Sequence, residues 1–551
     1  MTSGSPRLEH RRLRAPQEDR AAVVDPPFEE VAGLVRANLS CRREYRYDLQ
    51  GRCLSEVARE SRRQLVAEAR RWTSQYRDVD PRPFDPSAPI FLAGHQPELF
   101  HPGVWFKNFA LGTLARQHGA VAVNLLIDSD VFRTPSVRVP GGPVTQPQVA
   151  EIPMDKAGPL VPYEERPILD RDVFAEFGRR AAEQIARLVP DPLVRQFWPM
   201  ALQRMQATSN LGACLAQSRH QLEGQWGLET LEIPQSRVCQ AEPHAWFVAH
   251  LLAQLPRLWT IYNEVVDEYR RVNRVRSRAH PVPNLAAEGE WLEAPFWIWT
   301  GDDPCRRRLF AKRGRDRVVL SDRHAHEIAL PLQPDGDAGR AAQRLVELGR
   351  EGVKIRSRAL VTTLWARLVL GDLFLHGIGG AKYDQVTDAI VRRFFGLKPP
   401  GFLVLSATLH LPVARQRAAP EDLRAIQRGL RRLTYHPECY INGAGEVAGA
   451  CGKEVAELIA AKKRWIQTCS TRQNARTRYE EIRRINEALA PCVAPLRERL
   501  HRERRETEQS LKAEAVLRAR EYPFCLFPEK TLREFLVSLL HKCEKIGSDN
   551  P

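Results

Sequence analysis

The hydrophobic pattern is clearest between Phe91 and Asp130. The apolar run Phe91–Ala93 stops at Gly94, and two histidines, a glutamine and two prolines fill the interval to Gly103, too much turn chemistry for a continuous helix. From Trp105 to Leu114 apolar residues recur at helical spacing, with Gly119 as the stop signal. Val121–Ile127 is then almost wholly apolar, as in a strand buried on both faces, and Asp128 and Asp130 fall where that strand ends. A strand, glycine-containing loop, helix and second strand is the unit of an open parallel α/β sheet, in which ligands bind beyond the carboxyl ends of the strands.

The same reading extends in both directions. Residues 1–27 carry no apolar period and are expected to be disordered; residues 28–85 form amphipathic helices and a proline-punctuated linker. After Asp130 comes an extended proline- and glycine-rich passage, then helical segments over 171–224 and a short strand within 228–238. A β-meander insertion is expected near 296–320. Downstream, an apolar segment leads to His376–Lys382, a glycine-rich loop expected to open a helix over Tyr383–Phe395, and Phe402–Leu405 reads as another buried strand. The α/β core is thus placed at 86–415, a helical arm at 416–521 and a docking C-terminal segment at 522–551. In the arm, Ile482, Ile485, Leu489, Val493, Leu496 and Leu500 keep a coiled-coil-like seam, bent near Pro491 and Pro495.

Composition adds limits. The 551 residues are enough for two or three domains; no run of about 20 apolar residues marks a membrane span, and no secretory signal opens the chain, so a cytoplasmic protein is expected. The 11 cysteines contain no CxxC pair, against both a disulfide framework and a zinc ribbon. A net charge of +16 invites a nucleic-acid partner, but the basic residues are mostly arginines spread along the chain, which favours a small anionic substrate or a merely solvated surface. Because lysine is rare, with none before Lys107, Lys107 and Lys382 stand out as compact, tunable cations.

The chemistry is carried by the two loops. Gly94 opens the first; His95 can exchange a proton near neutral pH and Gln96 can orient a substrate, although a satisfied structural histidine fits the same position. Asp128 and Asp130 suit an ammonium or a cation, or the capping of the next element. In the second loop, Gly377, Gly379 and Gly380 offer unhindered N–H groups beside His376, Lys382, Tyr383 and Asp384, a setting for phosphate or carboxylate. The glycines are equally accounted for by a tight strand-to-helix turn. Neither loop is a complete nucleotide fingerprint; a nucleotide is compatible with them but no cofactor is specified. His324 and His326 have no third ligand at metal spacing, and no metal is assigned.

Gly94, Gln96, Leu99, Phe100, Gly103 and Lys107, followed by Asp128, Asp130 and then Gly379–Gly380, form a pattern that resembles the bacillithiol-synthesis cysteine-adding enzymes. The resemblance implies a Rossmann-like core, a helical coiled-coil arm used to form a homodimer, and the joining of cysteine to glucosaminyl-malate. His95 replaces the family's usual glutamine, HGIGGAKYD replaces its later loop, and the meander has no counterpart in that pattern. A divergent member joining an amine to a small anionic, sugar-conjugate-like substrate is therefore expected. HQP followed by an aromatic residue and a lysine also resembles WbqC-like proteins, linked with sugar-amine modification. The alternatives are a non-catalytic nucleotide- or nucleic-acid-binding protein that uses its basic helices, or an assembly protein with a degenerate core.

Overall fold

The apolar runs that pattern as doubly buried strands do pair with one another. In the computed structural model, which describes Leu8, His10 and residues 13–414, 418–441 and 451–544, the central sheet has six strands. Their spatial order is Ala22–Asp25, Leu403–Ala407, Leu373–His376, Ile90–His95, Val121–Leu126, Leu231–Pro234. All neighbouring pairs are parallel except the first, where Ala22–Asp25 runs antiparallel along Leu403–Ala407. Phe91, Leu92, Val123, Leu375 and Leu403 are fully buried, each contributing about 1.5–3 kcal/mol of hydrophobic stabilisation. The fold is thus mixed α/β, with a largely parallel sheet.

Counting the five parallel strands along the chain, the sheet reads 3-2-1-4-5. The order reverses between Ile90–His95 and Leu373–His376, which pair through Phe91↔Leu373, Leu92↔Phe374 and Ala93↔Leu375. His376 therefore ends its strand beside Gly94. The helix Pro102–Gln117 carries the chain from Ile90–His95 to Val121–Leu126, with proline in its first turn and the His101 side chain accepting a hydrogen bond from Gly103 N at 3.1 Å. Gly103 is fixed by packing, because a Cβ there would lie 2.0 Å from Ala407 O.

Several expectations need correction. Disorder over residues 1–27 fails at Ala22–Asp25, whose four residues are too short to show a period but complete a sheet edge; residues 1–7, 9, 11 and 12 lie outside the described residues. The meander is wider than 296–320: Trp291–Thr300, Arg307–Arg313, Val318–Ser321 and Glu327–Leu330 are joined on the other side by Val353–Ser357 in an antiparallel sheet. The expected glycine-rich loop is mostly helix. Gly377 is the N-cap of Ile378–Ile390, so Gly379, Gly380 and Lys382 lie in or just after the first turn.

The chain divides into two compact units. The first contains Met1–Val139, Glu151–His410 and Arg520–Pro551; the second contains Pro140–Ala150 and Leu411–Ala519. Within the first, the C-terminal Phe524, Cys525 and Leu526 are buried, and Phe524 N donates to Phe100 O at 2.9 Å. Within the second, helix Ala475–Leu489 packs Ile485 and Leu489 against Val455 and Ile459, and a 3-10 turn at Ala490–Val493 interrupts the expected seam before Ala494–Leu517. Proline at 491, which cannot donate to an α-helical ladder, sits in that turn. Among the described residues no helix is long and apolar enough to cross a membrane.

Candidate functional site

At the point where strand order reverses, the two expected loops come to the same edge. From the first loop, Gln96 Nε2 donates to Asp130 Oδ2 at 2.8 Å, so the glutamine is tied to the acid at the end of the neighbouring strand. Arg306, from the antiparallel sheet, holds the other oxygen at 3.1 Å and also donates to Ser129 O at 2.7 Å. The Asp130 side chain nevertheless keeps 41% of its surface exposed, which leaves it open to a ligand. Glu98 completes this acidic side: Tyr163 donates to it from 3.3 Å, and burial, with Asp130 nearby, raises its pKa. The phenol of Tyr383 is pushed up by burial and by the charges of Asp384 and Asp130, which puts the second motif within electrostatic reach of Asp130.

Across the reversal, Leu373–His376 delivers His376 to the start of helix Ile378–Ile390. Its Nε2 lies 2.5 Å from Asp384 Oδ2, and Arg367 Nη1 approaches the same oxygen at 2.8 Å while its Nη2 binds Asp388 at 2.6 Å. Burial would raise Asp384, but His376 and Arg367 outweigh it and hold this carboxyl well below the usual range. The trio is buried, so His376 and Asp384 set the angle between strand and helix and do not point a free group outward. Gly380 belongs to the same packing: a Cβ there would stand 2.6 Å from His376 Nδ1.

Gly377 and Gly379 differ, because nothing lies within 4 Å of a Cβ placed on either. The first helical N–H to return to the cap is that of Ala381, bonded to Gly377 O at 3.0 Å, so the amides of Ile378, Gly379 and Gly380 precede the ladder. Half-buried Lys382 has no ion-pair partner among the described residues. An open helix N-terminus beside one ammonium is an arrangement for an anionic group.

Three further expected site residues have structural roles, as His376, Asp384 and Gly380 do. Asp128 is buried, accepting from Ser236 N at 2.9 Å and from Ser236 Oγ at 2.5 Å; burial, together with the Glu164 charge, pushes its pKa up to about 7. It caps the short helix Gln235–Cys239 instead of waiting for an ammonium or metal. Lys107 is buried with its ammonium donating to Gly94 O, and burial pulls its pKa down to about 8. It braces the strand end and is not a second cation beside Lys382. His95 is buried too, donating from Nδ1 to Gln96 O at 3.1 Å and stacking edge-on against Phe100. Burial, with Arg219 and Lys107 nearby, holds it neutral, and its Nε2 has no partner.

Behind His95 lies a polar cluster that the sequence did not single out. His220, Glu223 and Glu232 are the group among the described residues whose ligand-type atoms come within 4.8 Å of one another. Their chemistry does not suit a divalent cation, because Arg219 already bridges the carboxylates, 2.7 Å from Glu223 Oε1 and in contact with Glu232. His220 is occupied on both nitrogens, by Tyr76 at 2.7 Å and Thr230 at 3.0 Å. Glu223 also accepts from Trp105 at 2.6 Å and Asn108 at 2.8 Å, pinning the first helix of the sheet. The signal available was the helical spacing of Arg219 and Glu223, four apart on the segment Leu211–Gln225 with His220 beside them.

Comparison with protein-family models and with curated proteins finds no match to this chain.

Proposed function

We propose that the protein is a Rossmann-like ligase or transferase, a divergent relative of the cysteine-adding enzymes it resembles, joining an amine to a small anionic, sugar-conjugate-like substrate. The observation that carries this reading is the reversal of strand order between Ile90–His95 and Leu373–His376. The order 3-2-1-4-5 is that of the doubly wound dinucleotide-binding sheets, whose ligands occupy the crevice at this point. The two sides of the crevice have opposite chemistry. The amides of Ile378–Gly380 and Lys382 attract a phosphate or carboxylate, whereas Asp130 and Glu98 attract an ammonium. A substrate pair consisting of an amine and an anion would be held end to end.

In this reading Gln96 and Arg306 aim Asp130, which holds the amine, and neutral His95, one residue before Gln96, packs the strand end against Phe100. The arm, if it pairs with a second copy, supplies the homodimer that the resemblance implies. The nucleic-acid alternative is weakened by how arginine is used. Arg166, Arg219, Arg356 and Arg367 are buried in ion pairs, and many surface arginines pair with carboxylates one helical turn away, so these residues are not free to line a phosphate backbone, although pairing leaves the net +16 unchanged.

Mass spectrometry of an incubation with cysteine and glucosaminyl-malate, with and without ATP, tests the reaction class. The expected product has the summed mass less one water, and Asp130→Asn lowers its rate at least tenfold. Absence of any condensed product in both arms, or an unaltered rate for Asp130→Asn, would sink the assignment.

A further inference from the structure

A cavity of about 310 Å³ opens between helices Glu242–Ala253 and Gly339–Arg350, over the strand Val353–Ser357 and away from the strand-end crevice. Its volume is at the lower end of small-molecule sites. Val248, Leu345 and Ile355 make apolar walls. At the inner end are Cys239 and His244, whose Sγ and Nε2 are 3.8 Å apart; His244 Nε2 is also 3.1 Å from Ser357 Oγ. His244 is 2% exposed, and its Nδ1 has no partner. Burial and the nearby Arg356 hold this histidine neutral against a weak bond to the Cys239 backbone, so with Nε2 accepting from Ser357 the Nδ1–H meets no acceptor at full hydrogen-bond geometry. The outer end carries Arg350, exposed and without an ion-pair partner among the described residues, whereas Arg356 is committed to Glu164 at 2.6 Å.

A chamber of mixed lining, with apolar walls, a guanidinium at the mouth and an incompletely satisfied imidazole inside, has a definite complement. We infer that it is a second small-molecule site, taking an organic acid with an apolar body and an uncharged acceptor at its far end. The carboxylate meets Arg350, the body lies against Val248, Leu345 and Ile355, and the far hydroxyl or carbonyl takes the proton offered by His244. Leaving a buried donor unpaired is costly, so the ligand's acceptor adds affinity as well as direction. Cys239 lines the same cavity and reports occupancy: burial pushes its thiol up to about 11, making it a slow, protectable alkylation site and not a nucleophile poised at neutral pH.

The probe is 3-(4-hydroxyphenyl)propionate, titrated calorimetrically into the full-length protein, with 3-phenylpropionate and 4-ethylphenol as the arms lacking the hydroxyl and the carboxylate. Saturable binding is expected, weakened at least fivefold for 3-phenylpropionate and at least tenfold for 4-ethylphenol and for Arg350→Glu. Gly349→Leu should abolish it, since nothing lies within 4 Å of a Cβ at Gly349, which lines the cavity, and replacing a helical glycine leaves folding intact. If that variant melts lower, Val346→Trp fills the same space. Bound probe should slow maleimide labelling of Cys239, read on its peptide, while exposed Cys305 labels at an unchanged rate. No saturable heat at millimolar probe, equal affinity for all three compounds, or undiminished binding in both filled variants overturns the inference.

Discussion

At the scale of single residues, glycines in the two motifs separate by what surrounds them. Gly103 is held by contact with Ala407 O, so Gly103→Ala should destabilise the fold by about 3 kcal/mol through overpacking. Gly379 faces open space within a helix, so Gly379→Ala should instead stabilise by about 0.5–1 kcal/mol. Urea denaturation of the two variants checks both signs. A stable Gly103→Ala protein would mean that the helix does not pack on that strand end as described. The sequence made these glycines look alike, since a close approach to Ala407 depends on a strand some 300 residues away in the chain. Gln96 and Asp130 were legible as strand-end polar residues, Gln96 directly after Ile90–His95 and Asp130 a few residues past Val121–Leu126, and they do meet there. Their partner Arg306 was not, being 176 residues from Asp130 along the chain. Asp128 was read as functional because polar residues at strand ends usually face solvent, and Lys107 because lysine is rare in this chain; here both are buried, with Ser236 and the Gly94 carbonyl completing their bonds.

At the scale of elements, strands buried on both faces were legible, because a short apolar run bounded by glycine or acids is too brief for a helix and too apolar for a surface loop. The start of the helix at Ile378 was not. Three glycines within four residues have poor helix propensity, and tertiary packing decides the matter: His376 seats against Gly380, while Arg367 and His376 both grip Asp384 in the first turns. A helix beginning there leaves its first amides outside the hydrogen-bond ladder at the strand end, which a floppy loop would not. The edge strand Ala22–Asp25 escaped notice for a related reason, because its pairing with Val404–Ala407 is wholly long-range.

At the scale of the whole molecule, the buried titratable groups predispose the fold to acid instability. His95, His101, His220, His244 and His250 are kept neutral chiefly by burial, with His101 and His250 held near 4 and His244 near 3. The unfolded chain takes up protons at such residues as pH falls through about 6.5 and the folded chain does not, so stability is lost on acidification. Asp128 opposes this. Its folded pKa of about 7 is above the ordinary carboxylate value, so the folded chain retains a proton that the unfolded chain has released, and its contribution fades as pH rises from about 4 to about 7. Asp128→Asn removes that opposition. Unfolding free energy measured from pH 4.5 to 6.5 should therefore fall more steeply on acidification in the variant, by up to about 1.4 kcal/mol per pH unit. An equal or shallower slope would show that Asp128 is ionised in the fold.

In the proposed reading an anionic substrate sits on the amides of Ile378–Gly380 beside Lys382, at the reversal of strand order. Calorimetric titration of glucosaminyl-malate into the wild-type protein and Lys382→Ala tests that placement. The expected result is one site per chain in the wild type, with affinity at least tenfold weaker in Lys382→Ala, a loss of about 1.4 kcal/mol, and an unchanged melting temperature. Identical affinity in the two proteins, or no binding to either, would contradict it.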